Sequence, residues 1–308
     1  MPFARSSSAH TRAVLSALGV TFLWSTSWVL IKIGLRDIPP LAFAGLRYGM
    51  AAVCLVVGIV GFRRTGLSHL SRRAWAELVG LGVLFYAVTQ GAQFVALSLL
   101  PAATLNLILG LSPLTVALLG ARLLGERPTG GQWLGIVIAL VGTGTYFYPL
   151  QLAPAQAVGL GVGALGLLAN ALSSILGRHV NRRGDLSPLM VTTISMGIGS
   201  ILLLGVGIPI QGLPPLGAVH WAIVGWLAVV NTAVAFTLWN YSLRTLPASE
   251  SSVINNTMLI QIPILAWVAL GERLAGREIV GLALAGVGML LVQLCTPRPT
   301  PTVRSRVG

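Results

Sequence analysis

Apolar residues run in long blocks along this chain, and polar residues are confined to the short gaps between them. Ten blocks can be drawn, at 14–35, 40–62, 75–97, 101–124, 131–148, 157–180, 187–208, 219–241, 248–270 and 277–295. A helix of about twenty residues crosses a ~30 Å hydrocarbon layer. No block shows the period-two alternation of a barrel strand, and a lipid-embedded backbone must satisfy its own hydrogen bonds. The pattern predicts an all-α integral membrane protein with ten transmembrane helices. The gaps hold no soluble domain. The expected division is an N-terminal arm at 1–12, five helices over 13–148, five more over 149–295, and a tail at 296–308.

Composition supports this reading. The chain is 55% hydrophobic and 9% charged, whereas soluble domains carry about 25% charged residues. The net charge of +13 does not point to nucleic acid, because the arginines sit in short loops and not on one folded face. With the N-terminus in the cytoplasm, inside segments hold 15 basic residues and outside loops hold 4, with Arg47 inside a span. That bias predicts both termini in the cytoplasm of a multi-pass protein of the cytoplasmic membrane. The first block is too long for a cleavable leader and contains Lys32. Cys54 and Cys295 lie in apolar segments and read as free thiols.

The chain repeats itself. At a shift of 146, residues 97–148 and 243–294 share 15 identities in 52 positions without a gap. Leu-Pro-Ala at 100–102 meets Leu-Pro-Ala at 246–248, and Leu-Gly-Glu-Arg at 124–127 meets the same four residues at 270–273. Gly135, Ala139 and Gly142 meet Gly281, Ala285 and Gly288. Apolar composition alone does not place a charged turn at one phase twice. A five-helix unit is odd, so its second copy enters the membrane inverted. Inverted repeats are typical of secondary transporters, which bind solute near the midplane between the two halves.

Trp24-Ser-Thr-Ser-Trp28-Val-Leu-Ile-Lys32-Ile-Gly34-Leu, with Pro39-Pro40 and Leu46-Arg47-Tyr48 after it, resembles the first two helices of an EamA-type repeat. The doubled Leu-Gly-Glu-Arg turn strengthens the likeness. The sequence resembles the drug/metabolite transporter superfamily, EamA branch, over essentially its whole length. The resemblance implies a ten-helix bundle with a central cavity, cytoplasmic termini, and export or exchange of metabolites such as amino acids. Asn255, Asn256 and Gln261 make the ninth helix more polar than is usual in such proteins.

Polar side chains within spans should face a cavity or a partner helix. Spacing groups them into stripes: Trp24, Trp28 and Lys32 on helix 1; Tyr86, Gln90 and Gln93 on helix 3; Asn170 and Ser173 on helix 6; Trp239 on helix 8, near Asn231 and Thr232; and Ser252, Asn255 and Asn256 on helix 9. These are expected to line the solute cavity, with helix bridging by amides and hydroxyls as the plain alternative. Trp24 and Trp28 either wall a ring-bearing or amphipathic solute or fill core. Lys32 either snorkels to the interface or faces the cavity. Arg47, about 10 Å into helix 2, either clamps an anionic group of the solute or donates to neighbouring carbonyls.

Absences narrow the chemistry. Asp37, Glu77, Glu126, Asp185, Glu250, Glu272 and Glu278 all fall at or near span ends. Proton-coupled cation exchange usually requires a carboxylate in the membrane. The expected activity is therefore export or facilitated movement of a neutral, zwitterionic or anionic metabolite, and not enzymatic. Multidrug or organic-cation efflux, a membrane scaffold and a lipid-acting enzyme are the alternatives. Gly161-Val-Gly-Ala-Leu-Gly166 imitates a dinucleotide loop but lies within an apolar helix without a preceding strand. No metal or cofactor is expected. The expected partners are a small-molecule substrate and membrane lipid, with the chain a monomer or weak homodimer. The glycine stripes after each Gly-Glu-Arg turn should pack within the chain.

Overall fold

The computed structural model describes residues 7–61, 71–123, 128–149, 151–183 and 186–295. The first Gly-Glu-Arg turn, at 125–127, lies outside them. Ten helical spans follow one another. They are α1 (Ser7–Gly34), α2 (Pro40–Gly61), α3 (Arg72–Leu99), α4 (Ala102–Gly110 and Ser112–Leu123), α5 (Gly130–Phe147), α6 (Pro154–Arg183), α7 (Pro188–Gln211), α8 (Ala218–Ala228, Val229–Val234 and Ala235–Ser242), α9 (Ala248–Asn256 and Met258–Leu270) and α10 (Gly276–Leu294). Among the described residues, nine stretches are long and apolar enough to span a bilayer by length and composition. The remaining span, α5, has 18 residues and includes Gln132, Thr143 and Thr145. Side chains such as Val57, Ile201 and Val268 stay exposed on the outside of the bundle. That surface suits lipid, in which leaving them unburied costs nothing.

Helix pairing follows the repeat. The most extensive contact, α5 with α10, joins a helix to its counterpart in the other half, and so does α2 with α7. Likewise α3 packs on α6 while α8 packs on α1. The bundle thus has a pseudo-twofold relation between its halves, and the centre lies where α1, α2, α3 and α8 converge. Phe43 and Phe94 meet edge to face there, 5.2 Å between centroids.

The glycine stripes make the α5–α10 crossing. A Cβ on Gly142 would fall 2.7 Å from the Gly281 carbonyl oxygen, and one on Gly135 would fall 2.7 Å from the Gly288 carbonyl oxygen. Added carbons on Gly281 and Gly288 would strike the α5 backbone in return. The small residues therefore bring backbone against backbone within one chain.

Hydropathy did not reveal that four of these helices are irregular. α4 breaks at Leu111, two residues before Pro113, whose missing N–H and ring prevent regular helix there. α9 breaks at Thr257, where the hydroxyl donates to the Ile254 carbonyl (2.6 Å) and competes with the backbone ladder. Pro263 lies within the second part of α9, six residues beyond the interruption. Leu111 and Thr257 are 146 apart, so the breaks are repeat-equivalent. The other irregularity is a π-helical stretch in α3 (Gly82–Gln90) and again in α8 (Val229–Val234). These too overlap under the 146-residue shift.

Candidate functional site

Arg47 and Tyr48 sit at the convergence of α2, α3 and α8. Arg47 is 5% exposed, and its Nε donates to Thr232 Oγ1 at 3.2 Å. Its guanidinium carbon lies 5.2 Å from the centroid of the Tyr48 ring. Among the described residues no carboxylate pairs with it, and its terminal amino groups have no hydrogen-bond partner. Tyr48 Oη donates to Gln90 Oε1 at 2.7 Å, and its ring meets Tyr86 edge to face at 5.6 Å.

The two π-helical stretches present these partners. Tyr86 and Thr232 are 146 residues apart, so they hold equivalent positions in the two halves. A π turn holds an extra residue, which re-aims the side chains beyond it, and such turns are frequent at functional sites. Thr89 Oγ1 donates to the Leu84 carbonyl and Thr232 Oγ1 to the Leu227 carbonyl, both five residues back and both at 2.8 Å. Arg47 reaches one stretch and Tyr48 the other, so one dipeptide of α2 bridges both halves.

Polar stitches secure the helix breaks around this centre. Ser25 of α1 donates to Gln261 Oε1 (2.8 Å), and Gln261 Nε2 donates to Thr257 Oγ1 (3.0 Å). In the other half Asn170 of α6 donates to Ser112 Oγ at 3.0 Å. Asn106 Nδ2 donates to the Met258 carbonyl just after the α9 break (3.2 Å). Asn231 donates to the Leu23 carbonyl and to Thr26 Oγ1, while its buried Oδ1 has no hydrogen-bond partner among the described residues. Trp24 packs against Phe236 and Trp239 at 5.4 and 5.2 Å, forming an aromatic wall between α1 and α8.

Lys32 neither snorkels freely nor faces the centre. Its Nζ donates to the carbonyls of Leu97 (2.9 Å) and Leu100 at the end of α3, and lies 3.8 Å from Glu272 Oε1. The other Glu272 oxygen accepts the Ala102 N–H at 2.8 Å, at the start of α4. Gly271, in left-handed conformation at φ 71°, turns the chain so that this carboxylate points back into the bundle. One face of the membrane domain is thereby clasped across the two halves, with His220–Asp37 (3.2 Å) beside it. The opposite face has the more exposed His10–Glu250 contact at 3.4 Å.

The stripes read from sequence divide accordingly. Arg47, Tyr86 and Gln90 come together, while Gln93 is half-buried one turn further along α3 without a hydrogen-bond partner among the described residues. Trp28 is buried in the main core cluster. Asn170 lies at the α4–α6 contact, and the buried Ser173 donates to the Asn170 carbonyl within α6. Ser252 is half-buried, Asn255 is exposed, and Asn256 donates to Gln293 of α10 (3.1 Å), a contact between α9 and α10 away from Arg47. Tyr48, Ser25 and Thr21, whose Oγ1 lies 3.3 Å from Thr257 Oγ1, were missing from the sequence stripes. Tyr48 adjoins a charge within a span, and that adjacency was the available signal.

The pattern of the EamA-like transporter family matches residues 11–148 and again 157–294. The chain belongs to the EamA-like transporter family. Two curated relatives are a transporter of Bacillus subtilis called YyaM, 25% identical over 91% of this chain and 93% of its own, and a probable amino-acid metabolite efflux pump of Escherichia coli, 27% identical over 89% and 92%. A crystal structure superposes with TM-score 0.66 at 24% identity, over 93% of this chain and 99% of that one, a likeness that shows the fold alone. This EamA protein is a multi-pass membrane transporter of small molecules.

Proposed function

We propose that this EamA transporter exports a small metabolite bearing a carboxylate, an amino acid or a related zwitterionic or anionic solute, across the cytoplasmic membrane. The observation that carries the reading is Arg47: a buried guanidinium with no carboxylate partner among the described residues, flanked by Tyr48, Tyr86, Gln90 and Thr232. A buried charge without a counterion is costly. A solute carboxylate would relieve that cost, and guanidinium binds it through a two-pronged hydrogen-bonded fork. The name of the Escherichia coli relative agrees with this substrate class. Organic-cation exchange is less well supported, since the described acids Asp37, Glu77, Glu250, Glu272 and Glu278 all stand near span ends, and Glu126 and Asp185 lie outside the described residues.

The test is counterflow of labelled solutes in proteoliposomes, with and without a pH gradient. Saturable flux is expected for at least one amino acid or related acid, not for its methyl ester, and without response to the gradient. Flux of organic cations driven by a pH gradient, with no carboxylate transported, would overturn the proposal.

Transport proceeds by alternating access, with both termini cytoplasmic. The Lys32–Glu272–Ala102 clasp holds one face shut, and the irregular stretches of α3, α4, α8 and α9 absorb the movement. Lys32→Met is expected to raise labelling of a Gln93→Cys reporter by an impermeant thiol reagent several-fold from the α9–α10 face. Cys54 and Cys295 are first replaced by serine. Unchanged labelling would remove the clasp from the transport cycle.

A further inference from the structure

A cavity of about 930 Å³ lies away from Arg47, in a slot between the second part of α9 and α10. Ile264 and Trp267 form one wall, Ala283 and Val287 the other. The slot opens on the outside of the bundle, where Trp267 is 59% exposed. Asn256 lies at its inner end, hydrogen-bonded to Gln293, and Arg273 at its outer end in the α9–α10 turn.

Three observations say what fits. Length is the first: from Ile279 to Leu290 the α10 wall rises about 16 Å, half of a ~30 Å hydrocarbon core and thus one leaflet deep. The second is polarity, because the walls are apolar and a cation stands only at the headgroup end. The third is charge commitment. Glu272 is turned inward to Lys32 and the Ala102 N–H, and Glu278 accepts the Ala275 N–H at 2.7 Å as a helix cap. Arg273 and the neighbouring Arg277 are exposed and form no ion pair among the described residues. An apolar trough one leaflet deep with uncommitted guanidinium at its mouth matches an acyl chain joined to an anionic phosphate head.

We infer that this slot is a specific site for an anionic phospholipid, with one acyl chain between α9 and α10 and its headgroup phosphate at Arg273. The lipid completes the outer wall of α9, the helix whose break at Thr257 is tied through Gln261 to Ser25 of α1. The site thus couples bilayer composition to the mobility of that helix. It is independent of the solute assignment at Arg47.

The test uses the full-length protein equilibrated with equal amounts of phosphatidylglycerol and phosphatidylcholine and examined by native mass spectrometry. Wild type is expected to retain one phospholipid, enriched several-fold in phosphatidylglycerol. Excess inorganic phosphate should not displace it. Arg273→Gln should abolish the preference while keeping retention, and Ala283→Trp, which fills the slot, should lower retention of both lipids. Quenching by phosphatidylglycerol with brominated chains gives a second readout, expected to fall in Trp267→Phe. The inference is overturned by a wild type that shows no enrichment, by an Ala283→Trp protein that retains as much lipid, or by a lipid-free dimer that Ala283→Trp dissociates.

Discussion

Arg47→Gln is expected to reduce transport of carboxylate-bearing solutes about tenfold to a hundredfold, chiefly through KM. A hydrogen bond to a charged group contributes about 1.5–3 kcal/mol, and each 1.4 kcal/mol is about a factor of ten. The effect should depend on the solute: a methyl ester should lose nothing further in the variant, because it offers no carboxylate. Arg47→Lys should fall between the two, keeping the charge but losing the planar fork. Tyr48→Phe should have a smaller effect, since it removes only the hydroxyl that bonds Gln90. Removing an unpaired buried charge does not threaten the fold, so protein yield should hold. Wild-type KM for a transported amino acid in Arg47→Gln would place the solute elsewhere.

Gly142→Leu is expected to destroy the fold of the membrane domain. Its first added carbon would meet the Ala285 backbone nitrogen and the Gly281 carbonyl oxygen, neither of which can rotate aside as a side chain can. Overpacking usually costs about 1–3 kcal/mol, and a collision between two backbones belongs at or above the upper end. Gly288→Leu should behave alike, because it meets the Ala139 backbone from the other side of the same crossing. Gly144→Leu is the control. It lies on the same helix, but a Cβ there finds no atom within 4 Å. Thermal melting in detergent, followed by size-exclusion chromatography, should show loss of the monodisperse peak for the first two variants and a wild-type profile for the third. A stable Gly142→Leu protein would mean that α5 and α10 do not pack through this stripe.

Some of this architecture could be read from residues alone. Runs of apolar residues must become helices in lipid, so ten spans followed from length and hydrophobicity. The 146-residue repeat followed from identities whose phase is independent of composition. Glycine spacing on α5 and α10 marked a close crossing, because only small residues permit one. Arg47 stood out since a charge within a span needs a reason.

The partners of those residues were settled by packing. Both π-helical stretches are invisible to hydropathy, because a one-residue change in helical phase leaves composition untouched. Yet they carry Tyr86 and Thr232 to either side of Arg47-Tyr48. The Lys32–Glu272 clasp joins residues 240 positions apart, and no local pattern encodes such a pairing. Asn256 illustrates the same limit: spacing put it on a polar stripe, and the fold turned it toward Gln293. One-dimensional pattern thus determined which segments enter the membrane and which of them are copies, because burial in lipid acts on each segment separately. Only the tertiary structure decided which polar groups face one another, because that depends on the rotation of each helix about its axis, set by neighbours distant in the chain.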